Sequence, residues 1–168
     1  MFVLSLRDEQ NNLNKTIIMK IAEALLLRAD LQKKISRLTS RITPNMVVLA
    51  GKSPQEDPAK LMAQLRKAIT DLQKLIVKIN ITNVITTDEG GKTLMENLAV
   101  RDAYKTQLEQ LRLIRQSAQI HGQSSSYNNP VNTIKVSVLQ SEIDQTGRAF
   151  REIDTKIQGL NWLTDLRE

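Results

Sequence analysis

Few residues of this 168-residue chain combine types and spacing suited to chemistry. Gly51-Lys52-Ser53 and Gly91-Lys92-Thr93 imitate the end of a phosphate-binding loop, in which glycines let backbone N–H groups wrap a phosphate. Such a loop needs another glycine five residues earlier, and those positions hold Met46 and Thr86. Nucleotide hydrolysis is therefore excluded. A di-iron bundle needs Glu-x-x-His pairs on facing helices. The single histidine is His121, and Ala118 stands three residues before it, so that motif fails. With no cysteine, thiolate zinc, disulfides and cysteine nucleophiles are all ruled out. No catalytic, cofactor-binding or metal-ligating residue is predicted, and the expectation leans against an enzyme.

One polar set stands apart. Arg28 falls on the apolar stripe of the first helical stretch, flanked by Leu25, Leu27 and Leu31. A guanidinium buried there needs an acid from another helix, because an unpaired buried charge costs several kcal/mol as a rough estimate. Asp102 and Asp154 are the expected partners, and Glu23 completes a possible polar cluster of Glu23, Arg28, Asp102 and Asp154. A buried pair that fixes helix register is preferred over a pocket for an anionic ligand. A carboxylate-only site for a hard cation, using Glu23, Asp30, Asp102 or Asp154, ranks below ordinary salt bridges.

Helices must position these residues. Three stretches keep a seven-residue repeat: Ile17, Ile21, Ala24, Arg28, Leu31, Ile35, Leu38, Ile42; Leu61, Leu65, Ala68, Leu72, Leu75, Ile79; and Leu139, Ile143, Thr146, Phe150, Ile153, Ile157, Leu160. A looser stripe of period near 3.6 runs from Leu94 to Ala118. Steps averaging 3.5 keep one seam toward a partner helix, as in a bundle or coiled coil. Asp57-Pro58 marks one helix start and the Thr93…Glu96 capping box another, while His121-Gly122 marks an end. Asn80, Thr82 and Asn83 read as the end of the second helix. Gly90-Gly91 reads as a turn, and 122–132 as a polar loop.

Met46–Ala50 and Thr133–Val138 have strand-like composition and are predicted to pair as a small antiparallel ribbon. Trp162 is expected to cover one end of the core. The fold expected is mainly α: four long helices with coiled-coil-like seams plus that two-stranded ribbon. Residues 1–18 form an amino-terminal extension expected to be poorly ordered, and 19–168 a single helical domain.

Composition agrees with helices: aromatics are 3% and the chain has 6 Gly and 4 Pro, too few for a sandwich or barrel. The net charge of +6 is uneven. Residues 15–41 hold seven basic residues against two acids, 58–84 five against one, and 140–168 four against six. Basic early helices could attract nucleic acid, though stacking aromatics and a helix-turn-helix are missing. No apolar run nears the ~18 residues of a transmembrane span. A cytoplasmic location is expected.

Several blocks taken together resemble a known family. They are Glu23-Ala24-Leu25, Arg28-Ala29-Asp30-Leu31-Gln32, Asn80-Ile81-Thr82-Asn83, Gly91-Lys92-Thr93-Leu94 and Arg101-Asp102. The carboxyl-terminal matches are Asp154, Ile157, Gln158, Asn161-Trp162 and Thr164-Asp165-Leu166. From about Met19 to Leu166 the chain resembles the septicolysin-like family of small, mostly uncharacterised bacterial proteins. That resemblance implies a mostly helical fold, a bacterial source and, through its label, cytolysin-like membrane activity. Leu25-Leu26-Leu27 widens the first stripe beyond one partner's reach. The leading expectation is accordingly a non-enzymatic, self-associating protein, a homo-oligomer without cofactors. Nucleic-acid binding and cytolysis are the alternatives.

Overall fold

A computed structural model describes residues 19–122 and 133–167, the side chains of 119–122 excepted. The predicted extension 1–18, residues 123–132 of the predicted loop and the His121 side chain lie outside the described residues. Four long helices account for most of the rest: α1 (Ile21–Asn45), α2 (Pro58–Ile85), α3 (Leu94–Gly122) and α4 (Val136–Leu163). The chain divides into two compact units. One takes the chain up to Ile79 together with the segment from Thr164, and the other is Asn80–Leu163.

In the first unit, α1 and α2 pack through their repeat positions. Leu38 and Ile42 of α1 meet Leu61 and Ala68 of α2 in one cluster. Ala24 meets Leu75 and Ile79 in another, with Leu25, Leu31 and Leu166 packed around them. The carboxyl-terminal segment returns to the start of α1. Leu166 N–H donates to the Met19 carbonyl at 2.8 Å and Ile21 N–H to the Thr164 carbonyl at 3.0 Å. The Lys20 ammonium lies 2.5 Å from Asp165, so a charge pair reinforces this single antiparallel bridge.

The second unit is built on α3 against α4. Leu108 and Leu111 pack on Leu139 and Ile143, with Phe150 beside them. Every repeat position of α4 from Leu139 to Leu160 is buried or half-buried. A period of 3.5 on a helix keeps these side chains on one face.

The start signals act as the sequence predicts. The Asp57 carboxylate accepts the N–H of Ala59 at 2.9 Å and of Lys60 at 3.3 Å. At α3, Thr93 Oγ1 accepts the Glu96 N–H at 3.1 Å while the Glu96 carboxylate accepts the Thr93 N–H at 2.6 Å.

The ribbon is a correction. Met46–Ala50 is an exposed, irregular connection without strand pairing. Of the other piece, Val136–Val138 is already the first turn of α4. The alternation of Ile134, Val136 and Val138 loses to the helical series Leu139, Ile143, Thr146, which buries more apolar surface. The second helix also runs past Asn80–Asn83 to Ile85, with Thr82 fully buried inside it. Trp162 is largely exposed rather than buried over one end of the core.

Candidate functional site

The four residues expected to cluster are distributed over both units. Glu23 stands in the first turn of α1, where its carboxylate accepts the Lys20 N–H at 2.7 Å. Arg28, in the same unit, is exposed. It is thus not the buried register-fixing residue that the repeat implies. Leu25 takes the inward position instead. In the second unit, Asp102 is exposed and pairs with its neighbour Arg101 at 2.7 Å. Asp154 is half-buried and accepts the Gln158 amide at 2.7 Å. Each of the three acids thus has a partner within four residues along the chain. Among the described residues, no group of three or more His, Cys, Asp or Glu side chains could hold a metal ion.

Among the described residues, a dense polar network forms elsewhere, at the turn between α2 and α3. Gly91 has φ +79°, a left-handed conformation that favours glycine. Its N–H donates to the Asp88 carbonyl at 3.0 Å, the Asp88 N–H to the Lys92 carbonyl at 2.8 Å, and the Leu94 N–H to the Thr86 carbonyl at 2.7 Å. This folding back turns the Asp88 side chain inward until only 1% of it is exposed.

Both oxygens of that carboxylate are then filled. Oδ1 accepts the N–H groups of Gly90 at 2.8 Å and Lys92 at 3.0 Å. Oδ2 accepts the buried Asn97 amide at 2.8 Å and lies 2.6 Å from the Lys156 ammonium of α4. The Lys156 hydrogen bond, then that of Asn97, holds the Asp88 carboxyl far below the usual aspartate range, against the opposing effect of burial. A carboxylate offers about four acceptor positions, and here all four are occupied. Asp88 is therefore neither a proton acceptor near neutral pH nor a vacant metal ligand. It ties the α2–α3 turn to α4.

The same geometry decides whether Gly91-Lys92-Thr93 can hold an anion. At the α3 start, the Leu94, Glu96 and Asn97 N–H groups are taken by the Thr86 carbonyl, the Thr93 hydroxyl and the Thr93 carbonyl. The Glu96 carboxylate already supplies the negative charge favoured at a helix start. A cleft of about 380 Å³ opens beside the network, lined in part by Lys92, Tyr104 and Glu152. Its charged floor is the Asp88–Lys156 pair, already neutralised.

Sequence reasoning missed Asp88, Asn97 and Lys156. Asp88-Glu89-Gly90-Gly91 carries the one available signal, an aspartate two residues before a glycine in an Asx-type turn. Nothing local marks Lys156, whose partner lies 68 residues away in sequence.

A family model described as a family of unknown function (DUF6847) matches residues 28–166. The chain belongs to that family. A solved structure, described as a functionally unknown conserved protein from Corynebacterium diphtheriae, is similar to this DUF6847 chain over most of its length. The two share 30% identity and superpose with a TM-score of 0.81, covering 89% of this chain and 99% of that one. No curated protein matches. The septicolysin-like resemblance is thereby corrected: the match is to DUF6847, and the solved relative is itself functionally unknown. Two of the blocks that suggested the resemblance, Gly91-Lys92-Thr93-Leu94 and Thr164-Asp165-Leu166, serve here as the turn that starts α3 and as the carboxyl-terminal closure.

Proposed function

We propose that this DUF6847 member is a non-enzymatic helical protein that self-associates through the outward leucine face of α1. The observation that carries the reading is the exposure of Leu26 at 62% and Leu27 at 39%, while the adjoining Leu25 packs on the core. A solvated polar residue would suit those outward positions equally well for folding. Burying two leucines against a second copy removes apolar surface worth roughly 25 cal/mol per Å². The saturated Asp88 network supports the non-enzymatic part, since the most buried carboxylate of the second unit is committed to holding a turn.

Light scattering coupled to size exclusion tests the reading, with Leu26→Glu as the variant. The wild type is expected to exceed the monomer mass at micromolar concentration, and Leu26→Glu to elute as a monomer with an unchanged helical spectrum. A wild-type monomer across that range overturns it.

A further inference from the structure

In the second unit, a groove of about 350 Å³ lies between α3 and α4, where Gly147 leaves α4 without a side chain beside Leu108 and Phe150. Nothing in the fold asks for glycine there. Gly147 sits inside the helix without a positive φ. A Cβ built on it would stand 3.5 Å from an Arg151 guanidinium nitrogen and 3.9 Å from the Leu108 side chain, both ordinary contacts. Alanine would therefore fit, and it favours a helix over glycine. What glycine keeps open is the groove. Lys105 and Arg112 of α3 and Arg151 of α4 stand exposed around it, with Glu109 the one acid among the described lining residues. Arg41, Arg101 and Lys156 are each held by an acid. Among the described residues, Lys105, Arg112 and Arg151 have neither an ion pair nor a side-chain hydrogen bond.

We propose that this groove binds a small phosphate monoester carrying a flat ring, the chemistry of a nucleoside monophosphate. The phosphate meets Lys105, Arg112 and Arg151, and the ring enters the Gly147 notch beside Phe150. Charge selects the phosphate: the three cations against Glu109 leave two positive charges, which a phosphate dianion matches and a single carboxylate does not. Guanidinium forks also fit phosphate oxygens in pairs. The notch selects the ring, because the missing Cβ leaves a thin recess over apolar side chains that an inorganic anion would leave wet. The groove's volume falls within the range of about 300–1,000 Å³ usual for small-molecule sites. A small ester suits it better than a nucleic-acid strand, which needs a row of stacking rings where this groove has Phe150 alone. None of these residues lies on α1, so the binding is independent of self-association.

Isothermal titration of the full chain with AMP, adenosine and inorganic phosphate tests it. AMP is expected to bind, and adenosine and inorganic phosphate to bind more weakly by roughly five-fold or more, since each keeps only one half of the contacts. Arg151→Gln is expected to weaken AMP by roughly five-fold. Arg148→Gln, exposed on the same helix outside the groove, leaves it unchanged. Gly147→Ala is the sharper probe. It is expected to raise the thermal midpoint, because the helix gains, while weakening AMP by roughly three-fold or more. A merely structural glycine would lose stability instead. Absence of AMP binding, equal binding of AMP and inorganic phosphate, or equal effects of the two arginine variants would each overturn the proposal. So would a lowered midpoint or unchanged AMP affinity in Gly147→Ala, or binding of a labelled oligonucleotide without binding of AMP. Leu26→Glu is expected to bind AMP as the wild type does, which keeps the result separate from self-association.

Discussion

A carboxylate with both oxygens filled behaves differently from one free to take a proton. Asp88 draws its stability from being charged, because Lys156 and Asn97 both favour the ionised form. Its contribution is therefore complete above the ordinary aspartate value of 3.8 and is lost as pH falls through the depressed value of the folded state. Urea midpoints are expected to hold steady from pH 7 to about 5 and to fall below about pH 4. In Asp88→Asn the acid limb should be shallower; an identical limb would show that other carboxylates govern it. Asn97, 1% exposed, donates to both Asp88 and the Thr93 carbonyl. Asn97→Ala leaves buried acceptors short of donors and is expected to cost about 1–3 kcal/mol by urea denaturation. Arg28 is the opposite case. Being exposed, it should tolerate Arg28→Ala within about 0.5 kcal/mol, and a larger loss would restore a buried pairing for it.

At the scale of elements, the turn before α3 depends on one backbone conformation. No atom lies within 4 Å of a Cβ built on Gly91, so substitution there meets no steric clash and only the φ of +79° resists it. Gly91→Ala is expected to lower stability by about 1–2 kcal/mol, and Gly91→Asn by less, because asparagine tolerates the left-handed region. Equal losses for the two variants would point to contacts rather than backbone conformation. The helices were legible because their signals are local: a repeat every three or four residues, Asp57 before Pro58, Thr93 three before Glu96. Arg28 shows the limit of such signals. A heptad frame assigns one inward position per step, but Leu25 beside it competes for the core and costs less to bury than a guanidinium. The strand-like Thr133–Val138 failed for a related reason, since three alternating residues cannot outweigh the apolar series that continues through α4. The Asp88–Asn97–Lys156 network was illegible because it depends on how α4 packs, and no spacing along the chain records that.

For the whole molecule, net charge sets a sign that separates self-association from the nucleic-acid alternative. Two copies each carrying +6 repel one another, and added salt screens that repulsion. The proposed contact through Leu26 and Leu27 is apolar and would lose nothing to screening. Association of this chain with itself should therefore tighten as salt rises from about 0.02 to 0.2 M, where the Debye length shortens from about 20 to about 7 Å. Binding to a polyanion must do the reverse, because basic residues on phosphates release counterions and each contact adds to a steep loss of affinity with salt. Sedimentation equilibrium across that range reads the first, and fluorescence anisotropy with a labelled oligonucleotide reads the second. The Leu26→Glu chain sharpens the comparison, since it removes the apolar contact and lowers the net charge by only one. If it loses association at every salt concentration, the leucine face carries the contact. If association instead weakens with salt in the wild type, charge pairing between copies dominates and the α1 leucines are not the interface.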